Sequence, residues 1–287
     1  MVLTRHGARA ARGVEVCGVV ATNRIAFEEL PSTVLAQVEA RTGPLRKIEP
    51  AKAGFNSEVA ARVFTETGSI YVKGLRTDHP RVWTQRREAE VNPFLRGVAP
   101  ALRWRIEVEE WDLLGFQAID GHHADYSPDS SDLPKVADLL VRLGEVACPA
   151  IELRRADQRL ERYAAKPADL SHFAGDSLLH TDLNNANVLV EETALLVDWA
   201  WATRGAAWLD PGYWVIWLMA AGGHTAESAE RWAGEVPSWR SAPSEGVNAF
   251  AVANANLWKE IGGADPDPWT ARMVTASARW AAHRTGP

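Results

Sequence analysis

Apolar and polar residues alternate through much of the first 120 positions, the two-residue period of half-buried strands. The alternation predicts strands at 13–21, 45–49, 59–64, 69–73, 102–108 and 113–119. Thr67-Gly68 separates two of them as a hairpin turn, and Glu109-Glu110 joins the last two. Two helices interrupt the run. One covers 33–41, with Ser32 read as its N-cap and Gly43-Pro44 as its stop; the other covers 81–91 and ends before Pro93. The first dozen residues carry Arg5, His6, Arg9 and Arg12 with little apolar pattern and read as a loose arm.

The period changes after Gly121. Past a Ser/Pro/Asp loop at 126–132, Leu133, Val136, Leu140 and Leu143 share one face of a helix over 133–143, with Asp132 as its cap. A charged amphipathic helix is predicted over 151–163, a strand-rich segment over 177–199, and helix for everything beyond Asp210. The chain is therefore read as α+β, with a β-rich part at 1–120 and a mostly helical part at 121–287, and no internal repeat.

Composition narrows the class. Hydrophobic residues make up 46% of the 287 and charged residues 24%, which is globular rather than disordered or fibrous. The 31 Lys and Arg against 37 Asp and Glu give a net charge of −6, which disfavours nucleic acid as a partner. Cys17 and Cys148 make neither a disulfide framework nor a zinc site. No N-terminal stretch reads as a signal peptide, and the most apolar run, 213–221, is far short of the ~20 residues of a membrane span. The expectation is a soluble, cytoplasmic protein without a membrane partner, monomeric or homodimeric. Of 13 tryptophans, ten lie at or after Trp199; Trp214 and Trp217, at helix spacing, read as core.

The chemistry concentrates in 178–202, LLHTDLNNANVLVEETALLVDWAWA. Apolar strands flank a polar loop, and a tight turn at 191–193 makes a short hairpin of the strands at 188–190 and 195–197. That hairpin would bring Asn187 next to Asp198. One carboxamide and one carboxylate suit magnesium, which prefers oxygen ligands and shares them with substrate phosphates. Asp182, five residues before Asn187, is placed to orient a hydroxyl and accept its proton. Phosphoryl transfer asks for little beyond such positioning and charge neutralisation.

The segment His180-Thr181-Asp182-Leu183-Asn184-Asn185-Ala186-Asn187, followed by Val197-Asp198-Trp199, resembles the aminoglycoside phosphotransferase and choline kinase branch of the kinase-like fold. That branch shows H-G-D-x-x-x-x-N and then I-D-W or I-D-F; Thr181 departs from it where glycine is usual. The resemblance spans about 45–220 and implies a bilobal protein-kinase-like fold. Its N-terminal lobe, 1–120, would bind nucleotide, and its C-terminal lobe, 121–287, would carry catalysis and substrate. It implies that Asp182 is the catalytic base, Asn187 and Asp198 the metal ligands, and His180 a structural brace of the loop. Lys73 would contact the nucleotide phosphates, with Glu88 as its partner and Glu90 second. Gly54, Asn56 and Ser57 would cover the phosphates, although their loop is neither G-x-x-x-x-G-K-[ST] nor G-x-G-x-x-G. Backbone groups near Gln117 and Ile119 would hold the purine. Asp210 opens a D-P-x-x-D-like segment whose second acid is missing and is expected to cap a helix over 211–221. His122, His123 and Asp125 read as a polar loop rather than a metal site, because adjacent histidines diverge.

The implied activity is transfer of the γ-phosphoryl of ATP or GTP, with Mg2+, to a hydroxyl of a small molecule. The acceptor class expected is an antibiotic, aminoglycoside-type or nucleoside- or sugar-bearing (capuramycin-like), with resistance as the outcome. The alternatives are a metabolic kinase of a choline-like or sugar-like molecule and a nucleotide-binding pseudokinase. From Trp199 onward, eight Asp and Glu face seven Lys and Arg, a near-neutral balance that counts against a polycation.

Overall fold

A computed structural model describes residues 24–51 and 56–286. The expected arm, the strand at 13–21, Cys17 and Gly54 lie outside the described residues. The chain runs through α1 (Ser32–Thr42), β1 (Lys47–Pro50), β2 (Val59–Thr65), β3 (Gly68–Arg76), α2 (Trp83–Val91), β4 (Leu102–Val108) and β5 (Trp111–Gln117). These strands form one antiparallel sheet in the order β1-β2-β3-β5-β4. Its apolar face, with Val59, Ala61, Val63, Val72, Ile106 and Leu113, packs against Val34 and Val38 of α1. In β5, Gly115 lets the Trp104 indole of β4 lie directly across the strand; a Cβ there would sit 2.2 Å from the ring.

The second half adds β6 (His122–His123), α3 (Leu133–Gly144), β7 (Arg154–Arg155), α4 (Ala156–Leu160), α5 (Leu170–Phe173), β8 (Ser177–Leu179), β9 (Val188–Val190), β10 (Ala194–Leu196) and β11 (Thr203–Gly205). Five helices follow: α6 (Leu209–Gly222), α7 (Ala226–Ala233), α8 (Pro237–Arg240), α9 (Ser244–Gly262) and α10 (Pro268–Thr285). They share a large apolar core with α3, and the end of α2 joins it through Val91. Trp214, Trp280 and Trp199 are almost fully buried, and Phe250 meets Trp208, Tyr213 and Trp280 edge-on. The tryptophans are thus used mainly as core, at the burial expected of rings of this size. Among the described residues no helix is long and apolar enough to cross a membrane.

Several local expectations are corrected. The helix over 151–163 shrinks to α4, because Arg154 and Arg155 pair in parallel with Thr203 and Arg204 of β11. A tertiary ladder overrides local amphipathicity there. Ser32 is the first helical residue rather than the cap; Pro31 occupies the cap position without a side-chain acceptor. Asp132 stands at the cap position of α3 as expected, but its carboxylate makes no cap bond. Its Oδ2 accepts from the Asp125 N–H and lies 2.9 Å from His122 Nε2, tying the loop before the helix instead.

Candidate active site

The candidate site forms where β3, the loop 180–187 and the residue after the β9–β10 hairpin meet. Lys73 lies mid-strand, opposite Ala60 of β2 and Leu114 of β5. Its Nζ is 2.5 Å from Glu88 Oε2 and 3.3 Å from Asp198 Oδ1. Glu88 reaches it from the inner face of α2, on which Gln85 and Val91, each three residues away, are also buried. Burial works against the Lys73 ammonium, but Asp198 and Glu88 outweigh it and hold its pKa above the ordinary value. Glu90, the second candidate partner, is exposed.

The hairpin supplies the opposite side. Val188 pairs with Leu196, and the ladder continues one step as the Val197 N–H donates to the Asn187 carbonyl at 2.9 Å. Asn187 and Asp198 therefore flank the open end of one hairpin. Asp198 has a left-handed backbone, φ 64°. Lys73 approaches its Oδ1, and the Asn56 Nδ2 donates to its Oδ2 at 3.2 Å. Burial would raise this carboxyl, but Lys73 and the Asn56 hydrogen bond hold it below the usual carboxylate range.

Asn184 shapes the loop by accepting the Ala186 N–H at 3.0 Å, which turns the chain so that Asn187 faces back. The Asn187 Nδ2 donates to Asp182 Oδ2 at 2.9 Å. Its amide is thereby spent on Asp182, and the carbonyl oxygen remains as a donor for a cation. Burial, helped by the Asp198 charge, pushes the Asp182 pKa up to about 6.

The loop is braced from behind. His180, 1% exposed, sets its Nε2 3.0 Å from the Val197 carbonyl and accepts the Asp182 N–H at Nδ1, 3.2 Å. The two bonds select the tautomer with the proton on Nε2. Burial pulls the ring's pKa down to about 4, so it is neutral at physiological pH. The Asp210 carboxylate accepts the N–H groups of both His180 and Thr181 at 2.8 Å. Asp210 lies inside the first turn of α6, so the expected helix cap is corrected: its carboxylate serves the loop, and burial pushes its pKa up to about 6. The Tyr126 hydroxyl donates to the Leu183 carbonyl at 2.9 Å.

The other sequence-predicted residues scatter more. Asn56 sits on Asp198, and its Oδ1 accepts from Arg81 at 3.1 Å. Ser57 is buried. The Gln117 N–H donates to the Ala101 carbonyl at 2.8 Å and is already committed, so that donor is not open to a purine. Ile119 lies two residues past the end of β5, half-buried. His122 and His123 form a short strand against β9, and among the described residues no three His, Cys, Asp or Glu side chains gather as metal ligands.

Two arginines at the site carried no sequence signal. Arg81 holds Asn56, and Arg159 of α4 reaches the loop itself, with Nη1 2.7 Å from Thr181 Oγ1. Just past Asp198, Trp201 meets Trp83 of α2 edge-on at 5.5 Å, and the Arg154 guanidinium lies 4.8 Å from each ring. The donor set at the hairpin end, one ionised carboxylate and one carbonyl, consists of hard oxygens and fits a magnesium-type cation.

No protein-family model and no curated protein matches the sequence. Solved structures do match the fold. Choline kinase LicA from Streptococcus pneumoniae superposes with a TM-score of 0.58 at 13% identity, over 88% of this chain and 98% of that one. A thermostable mutant of aminoglycoside phosphotransferase APH(4)-Ia gives 0.59 at 12%, over 87% and 99%. A choline/ethanolamine kinase family protein from Mesorhizobium loti gives 0.56 at 16%, over 89% and 95%. LicA has been solved with AMP, and a thermostable APH(4)-Ia mutant with ADP and hygromycin B. The architecture, a five-stranded antiparallel sheet lobe joined to a helical C-terminal region, is the kinase-like fold.

Proposed function

We propose that this chain transfers the γ-phosphoryl group of a nucleoside triphosphate, ATP or GTP, to a hydroxyl of a small molecule. The observation that carries the reading is the meeting of Lys73 from the sheet with Asp198 from the hairpin, beside the Asp182–Asn187 pair. An ammonium, two oxygen-bearing side chains and a carboxylate of raised pKa lie side by side there, which supports this reading. Asn187 and Asp198 would hold Mg2+, which supplies neutralisation of β- and γ-phosphate charge when bound. Lys73 binds the phosphates, and Glu88 keeps the ammonium in place. Asp182 orients the acceptor hydroxyl and takes its proton as the new O–P bond forms and the bond from the γ-phosphorus to the β,γ-bridging oxygen breaks, releasing nucleoside diphosphate; it must be ionised to do so. The nucleotide lobe in this reading is 1–120 and the acceptor lobe 121–287, and a nucleoside triphosphate donor fits a cytoplasmic setting.

The acceptor is read as a neutral, hydroxylated ring compound; a nucleoside- or sugar-bearing antibiotic is the form we favour, with resistance as the consequence. Two observations support this over the alternatives. Arg159 acts on Asp182 and Arg154 on Arg159, so two guanidinium charges adjoin this side of the site and count against a polycationic aminoglycoside. The aromatic pair Trp83 and Trp201, a type of surface that holds choline-like ammonium groups, already has the Arg154 guanidinium against both rings.

The test is mass spectrometry of a panel of antibiotics, sugars and choline-like amines incubated with Mg-ATP or Mg-GTP. Gain of one phosphoryl group by a neutral ring compound is the expected result. Phosphorylation of aminoglycosides alone would overturn the acceptor class. Nucleotide binding with no transfer to any of the compounds would favour a pseudokinase.

A further inference from the structure

Thr181 occupies a backbone conformation that its side chain resists. Its φ is 67°, in the left-handed region, where a β-branched residue is a rare outlier. The motif it belongs to carries glycine at this place, which adopts that conformation freely. Something must therefore hold Thr181 there.

The Thr181 hydroxyl donates to the Trp201 carbonyl at 3.3 Å, and a guanidinium clamps both groups. Arg159 of α4 points its Nη1 at three oxygens: Thr181 Oγ1 at 2.7 Å, Thr203 Oγ1 at 2.6 Å and the Trp201 carbonyl at 3.4 Å. Thr203 Oγ1 donates in turn to the Trp201 carbonyl at 2.7 Å, and the guanidinium lies 5.6 Å from the Trp201 ring. Among the described residues no carboxylate stands within ion-pair distance of Arg159. Burial lowers its pKa, outweighing Asp182 and Asp210, which favour its charge from a distance. It is anchored instead on hydroxyls and a carbonyl, one of them immediately before Asp182.

We propose that Arg159 is a positioning residue for the transfer reaction: it pins Thr181 in the left-handed conformation and so fixes the direction of the Asp182 carboxylate. Asp210 holds the same peptide from the other side through the Thr181 N–H. In this chain, threonine and arginine together do what glycine does alone in the motif. The inference rests on the proposed function only in assigning Asp182 its role; the latch itself is a statement about the loop.

The experiment compares Arg159→Met, Arg159→Lys, Thr181→Gly and the double variant Arg159→Met/Thr181→Gly with the wild type. Amide hydrogen exchange across 180–187 reads the loop directly, with α9 as the internal reference. Arg159→Met should speed exchange there by about tenfold or more, the scale of losing a charge-assisted hydrogen bond. Turnover with the acceptor found by the panel should fall by about 100-fold, the scale of a misplaced reacting group, while the KM for nucleotide stays within about twofold. Thr181→Gly should stay near wild type, and adding it to Arg159→Met should restore most of both losses. A purely structural arginine would not be rescued by a glycine at 181. If Arg159→Met does not fold, Arg159→Lys gives the same comparison, because an ammonium keeps the charge but cannot span the three oxygens. Wild-type exchange in a folded Arg159 variant, or a double variant no better than Arg159→Met, would overturn the latch. Exchange that follows the pattern in a protein that transfers no phosphoryl group would leave the latch standing and overturn the role given to Asp182.

Discussion

Loop 180–187 and the sheet facing it both bring polar side chains to the candidate site, but they hold them by different means. In the loop, position is set by bonds to the backbone: Asp210 takes two N–H groups, His180 bridges Val197 and Asp182, and Tyr126 holds Leu183. From the sheet lobe, Lys73 and Asn56 reach across by their side chains alone and meet Asp198. A site built this way has a rigid side, which fixes the direction of the chemistry. Its other side is held by charge and can exchange one set of oxygens for another. The proposed phosphoryl transfer would ask for that division of labour, with phosphates entering and leaving while an acceptor hydroxyl is aimed.

The largest expected effect probes the rigid side. Asp182→Ala should lower turnover by ~10²–10⁴-fold while leaving nucleotide affinity nearly unchanged, measured by steady-state kinetics and by calorimetry. In the wild type, turnover should fall as pH drops through about 6, because protonation removes the acceptor for the hydroxyl proton. A flat profile from pH 7 to 5 would argue against Asp182 as the base.

Next comes the charged side. Lys73→Met leaves Glu88 buried without its partner and should cost about 3–5 kcal/mol of stability in urea unfolding. Adding Glu88→Gln should recover much of that loss while nucleotide binding stays weak. If the single variant is as stable as wild type, the pair is not the buried ion pair described.

A smaller effect separates the two sides by pH. His180 is neutral when folded, with a pKa of about 4, and titrates near 6.5 when unfolded. The unfolded chain therefore binds more protons between those values, and this term removes stability as pH falls through the window. Between pH 7 and 5 it is worth roughly 2 kcal/mol, read as the change in slope between wild type and His180→Gln. Asp210, with its folded pKa raised to about 6, works in the opposite sense, so the difference between the two proteins is the quantity to measure. The smallest effect is Asn56→Ala, which should weaken nucleotide binding by less than about tenfold, because Asn56 acts through one hydrogen bond to Asp198 and Lys73 still faces the same carboxylate.

How much of this could be read from the residues differs in the same way. The strands at 102–108 and 59–65, and helix α3, follow from periodicity because each buries one face against a local neighbour. The meeting of Asn187 with Asp198 follows from a hairpin short enough to leave one register. What sequence could not supply was long-range. Arg154 and Arg155 look helical until β11 arrives to pair with them. Asp210 looks like a cap because its two amide partners lie about thirty residues earlier. Arg159 belongs to no motif, and only the positive φ of Thr181 gives it a purpose. The one advance clue was the threonine itself, standing where glycine is usual.

Asp210 also bears on how the molecule is made. During synthesis, His180 and Thr181 leave the ribosome well before the carboxylate that receives their amides. Until α6 has emerged and docked, those two N–H groups have only water to bond, and the peptide ahead of Asp182 is held through the Thr181 side chain alone. The sheet can mature early around its own small core, whereas the aim of the reacting group is among the last things the nascent polypeptide acquires. A chain cut short before residue 210 would keep every residue of the 180–198 motif and Arg159 as well, yet lose the carboxylate that takes the two amides ahead of Asp182.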